Sequence, residues 1–119
     1  RRFAWDLTKI CAQWNALTVR LMLAARKDRD IVSSASVDFL MFSGYAMMAY
    51  YWAQQAAVAS EKLEAGNGAE TPEFYKAKIK VADFYFERIL PRTQGHAEAM
   101  VNPSKTMISL APEHFSFDY

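Results

Sequence analysis

Cys11, Ser43, Glu87, His96 and His114 are the side chains from which a reaction would most plausibly be built, so their surroundings come first. A thiol or hydroxyl nucleophile needs a base beside it and a group to orient that base. Cys11 lies beside Ile10 and Trp14 on an apolar stripe, the setting of a buried, inert thiol. Ser43 precedes Gly44 but lacks the Gly-x-Ser-x-Gly turn that exposes a serine at a strand-to-helix elbow. Glu87 adjoins Phe86 and Ile89, where a carboxylate at an apolar edge would have its pKa raised. Arg88 beside it and Asp83 one turn back favour a solvated or ion-paired position instead. Metal sites in helical bundles use Glu-x-x-His pairs. His96 is followed by Glu98 and His114 is preceded by Glu113, so neither fits. His96 follows Gly95 in a polar stretch and reads as a surface histidine. One cysteine, with no Cys-x-x-Cys or Cys/His cluster, leaves neither an internal disulfide nor a metal site. The sequence Gly66-Asn67-Gly68 lacks the lysine and spacing of a phosphate loop. No catalytic, cofactor-binding or metal-ligating residue is therefore assigned to this chain.

The elements around these residues are helical. From Phe3 to about Arg26, Leu7, Ile10, Trp14, Leu17 and Leu21 step by three and four, with Asp6, Lys9, Gln13 and Arg20 off the stripe. Arg26 to Asp30 is a polar connection, and Asp30 is placed to cap the next helix. That helix runs from about Ile31 to Ala65, on the order of 50 Å at 1.5 Å per residue. Gly66 supplies its stop, and Thr71 and Pro72 supply the N-cap and first position of a third helix. The third helix carries two apolar rows. Phe74, Ala77, Val81, Phe84 and Tyr85 form one; Tyr75, Ile79, Ala82, Phe86 and Leu90 form the other. Pro91 ends or kinks it. Asn102-Pro103 closes the following helical piece, and a short helical turn and an aromatic tail complete the chain. With no alternating run of useful length, the expected fold is all-α: an antiparallel bundle of three long helices plus a short C-terminal helical piece, in one domain over residues 1–119.

Phe39 to Ala59 is 21 residues without a formal charge, long enough to cross a bilayer. Ser43, Gly44, Tyr45, Gln54 and Gln55 interrupt it, aromatic residues sit mid-run and the flanks show no positive-inside bias, so the run reads as a helix buried in protein on most of its circumference, with no membrane span. Gly44 reads as a point of close helix approach. Met41, Met47 and Met48 with Tyr45, Tyr50, Tyr51 and Trp52 could line a pocket for a flat or acyl ligand, but such a stripe is more often core. Fourteen basic against 13 acidic residues give a net charge of +1, with no basic face for nucleic acid. The cysteine usage points to a reducing cytoplasm. The opening shows no signal-peptide pattern, and the absence of an initiator Met suggests a segment of a longer polypeptide or a processed product. Three helices would leave part of their apolar surface wet, which implies a partner.

Three stretches supply an identity for that partner. Asp38 to Ala56, "DFLMFSGYAMMAYYWAQQA", Phe74 to Thr93, "FYKAKIKVADFYFERILPRT", and Met107 to Phe117, "MISLAPEHFSF", resemble the C-terminal extension of a bacterial branch of the acyl-CoA dehydrogenase family that includes 3-methylmercaptopropionyl-CoA dehydrogenase-like enzymes. Phe74, Tyr75, Ala77, Lys78, Ala82, Phe84, Tyr85, Leu90 and Pro91 fall in that family's order and spacing, while Val101 to Lys105 departs from it. The resemblance implies a flavoenzyme in which FAD, bound upstream of this segment, accepts a hydride from the β-carbon of an acyl-CoA while an upstream glutamate takes the α-proton. It also implies packing on the upstream catalytic domains of the same chain, a homodimer, and electron-transfer flavoprotein as redox partner. The alternative is an independent helical protein-protein interaction module.

Overall fold

A computed structural model describes residues 3–115, and among them every regular element is helical. Helix α1 (Ala4–Ala24) presents Ile10, Leu17 and Leu21 to the interior, the expected stripe. The polar connection leads to a single turn, α2 (Ile31–Ser34), and then α3 (Ser36–Ala65), 30 residues or about 45 Å. The continuous helix expected from Ile31 is interrupted at Ala35. Serine hydroxyls compete there for the carbonyls: Ser34 Oγ donates to Ile31 C=O at 3.1 Å and Ser36 Oγ to Ser33 C=O at 2.8 Å. Asp30 makes no side-chain cap. Asp28 holds the connection instead: its carboxylate accepts from Asp30 N–H at 3.2 Å, Ser104 Oγ at 2.6 Å and Ser104 N–H at 3.0 Å. Ser104, just after Asn102-Pro103, thus ties a distant part of the chain to the α1–α2 loop.

Gly66 ends α3 in the left-handed conformation, φ 64°, which glycine adopts without a Cβ penalty. Thr71 caps α4 (Pro72–Phe84) through Oγ1, which accepts from Phe74 N–H at 3.3 Å. Pro91 does not end the rod. Its missing N–H and its ring displace the ladder into a π turn (Tyr85–Ile89) and a 3₁₀ turn (Leu90–Arg92), after which α5 (Thr93–Met100) continues. The π turn buries Tyr85 and Phe86 together. Phe86 stacks on Phe3 with ring centroids 4.4 Å apart, and the Tyr85 hydroxyl donates to the Tyr45 carbonyl of α3 at 2.6 Å. Short turns α6 (Lys105–Ile108) and Pro112–Phe115 follow. The end of the aromatic tail lies outside the described residues.

Cross-contacts fix the directions. Phe3 meets Phe86, Gln13 meets Gln94 and Asp28 meets Ser104, so α1 runs in the same sense as the α4–α5 rod. Tyr45 meets Tyr85 and Asp38 meets His96, so α3 runs back against both. Toward its neighbours α3 presents Phe42, Ala46, Ala49, Ala56 and Ala59, a mostly alanine ridge. Its large apolar residues lie elsewhere: Leu40, Met47 and Tyr51 are about half exposed or more. Burial on most of the circumference is thus corrected: the chain covers one face of α3. Of the two rows on α4, the one through Tyr75, Ile79, Ala82, Phe86 and Leu90 faces inward, while Phe74, Val81 and Phe84 stay exposed.

The outcome is a thin slab of 68 × 38 × 19 Å with a radius of gyration of 20.1 Å. A compact domain of this length has a radius near 13 to 14 Å, to order of magnitude. Its accessible surface is 8841 Å², whereas a monomer of this mass exposes about 6,600 Å². The slab keeps wet about 2,300 Å² that a self-sufficient globule would bury.

Two substitutions on α3 separate its faces. Ala49→Leu, at a fully buried position, is expected to cost about 1–3 kcal/mol by overpacking. Gly44→Ala, where a Cβ meets nothing within 4 Å, is expected to stabilise the isolated domain by up to about 1 kcal/mol; denaturant midpoints of both variants decide the point. Two pH effects follow from the tertiary hydrogen bonds. The Ser104 hydroxyl and N–H hold the Asp28 carboxyl below its ordinary value of 3.8. Its contribution is present above that value and lost as pH falls through the lower folded one, so Asp28→Asn should flatten the stability profile below about pH 4. Burial, aided by Tyr45, raises the Tyr85 hydroxyl to about 12. Its contribution is complete below about pH 10 and lost by about pH 12, and Tyr85→Phe, costing roughly 1 kcal/mol at neutral pH, should remove this alkaline loss in a titration followed by circular dichroism.

Candidate functional site

The residues considered for chemistry are dispersed. Cys11 is exposed, not buried: at about 100° per residue it sits roughly 80° round α1 from the centre of the stripe. Glu87 and His114 are exposed. Among the described residues no three His, Cys, Asp or Glu side chains converge. No described helix is long and apolar enough to cross a membrane.

His96 is the exception, and its surface reading is corrected. Its Nδ1 lies 2.7 Å from Asp38 Oδ1, both side chains are only about a quarter to a third exposed (26% and 30%), and its ring stands 5.9 Å from that of Tyr45. A carboxylate oxygen only accepts, so Nδ1 carries the proton. The bond straps the start of α3 to α5. With Tyr85 on the Tyr45 carbonyl it forms a polar junction between the two rods on the same stretch of α3 that carries Gly44. Ser43 Oγ, buried without a hydrogen-bond partner, is the remaining polar atom of that stretch. Asp38 and His96 are 58 positions apart, so no local spacing in the sequence announces the pair. An aspartate and a histidine alone orient an imidazole; with no thiol or hydroxyl among the described residues bonded to the ring, they form a structural strap.

The extensive feature of the molecule is apolar surface. Met41, Met47, Met48, Tyr50 and Tyr51 are 40–50% exposed. Their assignment to core is corrected, because alanines fill the space between the rods and leave the long side chains no interior. Gly44 is no close-approach point within the chain, since nothing lies within 4 Å of its would-be Cβ. An open groove of about 800 Å³ runs between the beginning of α1, with Phe3 and Leu7, and α3 at Tyr50, Ala53 and Glu61. A second, of about 660 Å³, separates Tyr51 and Val58 from Phe74 and Lys78. These are surfaces shaped for contact.

Comparison with known proteins agrees with this geometry. The family described as acetyl-CoA dehydrogenase C-terminal like matches residues 1–111. The broad-specificity linear acyl-CoA dehydrogenase FadE5 of Mycobacterium tuberculosis is 36% identical over 87 residues, covering 71% of this chain and 14% of that protein. The chain thus spans about one seventh of the curated relative it matches. No solved structure matches. A helical slab with no convergent reactive cluster among its described residues, matched along almost its whole length by one family model, belongs to the acetyl-CoA dehydrogenase C-terminal-like family of the acyl-CoA dehydrogenases.

Proposed function

We propose that this chain is the non-catalytic C-terminal helical domain of an FAD-dependent enzyme that removes hydrogen across the α and β carbons of an acyl-CoA thioester. One observation carries the reading: a chain of this family exposes about 2,300 Å² more surface than a free-standing domain and gathers no reactive cluster among its described residues. Surplus surface of that extent is what a domain docked on a larger body requires. FAD supplies the hydride acceptor when bound, and it is held outside this segment. The residues here do not fit it: the larger groove is open and lined by Glu61 and Glu64, where a pyrophosphate needs N–H donors and cations. The upstream catalytic domains of the same polypeptide are the first partner. A second subunit, the acyl-CoA substrate and an electron-transfer flavoprotein complete the assembly, which is placed in the cytoplasm.

The full-length enzyme tests this reading. It is expected to show flavin absorbance that bleaches on mixing with a linear acyl-CoA. Cys11→Ala and Glu87→Gln, both exposed, are expected to leave the bleaching rate within about twofold, the effect of an ordinary surface substitution. A loss of about a hundredfold or more in either variant would show that this segment contributes to the chemistry, since about 2.7 kcal/mol of barrier lies well beyond such an effect. A full-length product without flavin would leave the independent interaction module as the better description.

A further inference from the structure

Helix α3 carries two heptad seams on opposite faces. The inner one steps by three and four from Phe39 through Phe42, Ala46, Ala49 and Ala53 to Ala56, and its residues are buried or partly buried against the chain's own core. The outer one takes the same steps through Val37, Leu40, Gly44, Met47 and Tyr51, meets the exposed Gln54 at the next step, and resumes at Val58. At about 100° per residue the two lie roughly 160° apart. Leu40 is 69%, Met47 48%, Tyr51 49% and Val58 54% exposed. No charge interrupts the outer seam from Phe39 to Ser60, and Gly44 leaves open space midway along it. A sheet offers period two to such a surface. A 3.5-residue repeat is matched by another helix, crossing at about 20° with its knobs in the holes of this one.

We infer that the outer seam of α3 is the docking site of a helix from the upstream, catalytic part of the same polypeptide, with a bulky apolar side chain seated over Gly44. The inference rests on the proposed function and adds the face and the geometry by which that partner is met. Three observations select this occupant over a second copy. The seam paired with itself would cover on the order of 800 Å² per chain, about a third of the surplus. A larger body on that side also covers Phe74 of α4, which shares a groove with Tyr51 and Val58. The chain enters α1 at the seam's edge, because Phe3, Ala4 and Leu7 share their groove with Tyr50 and Gln54. A tethered helix there acts at an effective concentration on the order of millimolar. Finally, the curated relative extends far beyond the 14% matched here, so in such a protein most of the polypeptide is available to supply the helix.

Methionine oxidation footprinting of the full-length enzyme decides the question, with N-acetylmethionine amide as the reference in the same solution. Oxidation follows exposure, so Met47 and Met48 are expected to react at about one tenth or less of the reference rate when covered, and within about threefold of it when bare. The full-length Met47→Glu/Tyr51→Glu variant is expected to keep its mass by light scattering while Met48 becomes oxidisable. Bare methionines in the wild-type enzyme overturn the inference. So does a variant whose mass halves, because the seam then joins two copies. Flavin absorbance, recorded on the same samples, reports separately on the proposed function: its absence would sink the enzymatic reading while the footprint still decides whether the seam is covered.

Discussion

Close packing of small residues along one face of α3 is the constraint from which the rest of the architecture follows. Ala46, Ala49, Ala56 and Ala59 are 5% exposed or less, and small side chains at a helix contact set the distance at which two backbones can meet. A helix that buries alanines gains closeness of approach, yet each methyl removes little apolar area from water compared with a leucine or methionine. The long side chains of the same helix are then left outside. A thin slab with an apolar exterior is the direct result, and its stability is linked to whatever binds it, since a partner that binds only the folded form shifts the folding equilibrium.

Against that weak but close seam, a few polar and aromatic contacts set the register. Tyr85 reaches the Tyr45 carbonyl because Pro91 forces a π turn one step upstream, and the same turn aims Phe86 at Phe3. Asp38 and His96 tie α3 to α5, while Asp28 and Ser104 tie the α1–α2 loop to the α5–α6 connection. Each joins segments 40 to 83 positions apart. Such contacts add little stability apiece, about 1 kcal/mol net for an ordinary hydrogen bond. Their effect is to fix which residues face outward, and that decides what the domain can bind.

Much of the fold was legible before any coordinates. The stripe of α1, the glycine stop at Gly66, the Thr71-Pro72 start and the disturbance at Pro91 all depend on the chain's immediate neighbours, which sequence displays directly. The misreadings share one cause. Cys11 and the methionines of α3 read as core because apolar helix positions usually are, Gly44 reads as a close helix approach, and Asp30 reads as the cap because it sits next to the helix. For Asp28 the deciding neighbour, Ser104, is remote; for the methionines it is the position of the neighbouring helices, which close on the alanine face of α3 and leave the long side chains outside.

By itself the sequence determined the helical periodicities, the turn chemistry and the uncharged length of α3, together with a likeness to one family carried by the residues around Phe74 to Thr93. Those properties arise from backbone sterics and side-chain spacing within a few residues, and they persist whatever the helices pack against. Only the tertiary structure decided which of α3's two apolar faces is spent inside the chain and which remains for a neighbour. It also decided that His96 is a strap and not a free surface histidine. Both depend on where distant helices lie, and a helix with apolar residues on every side carries no local mark of the face its own chain will choose.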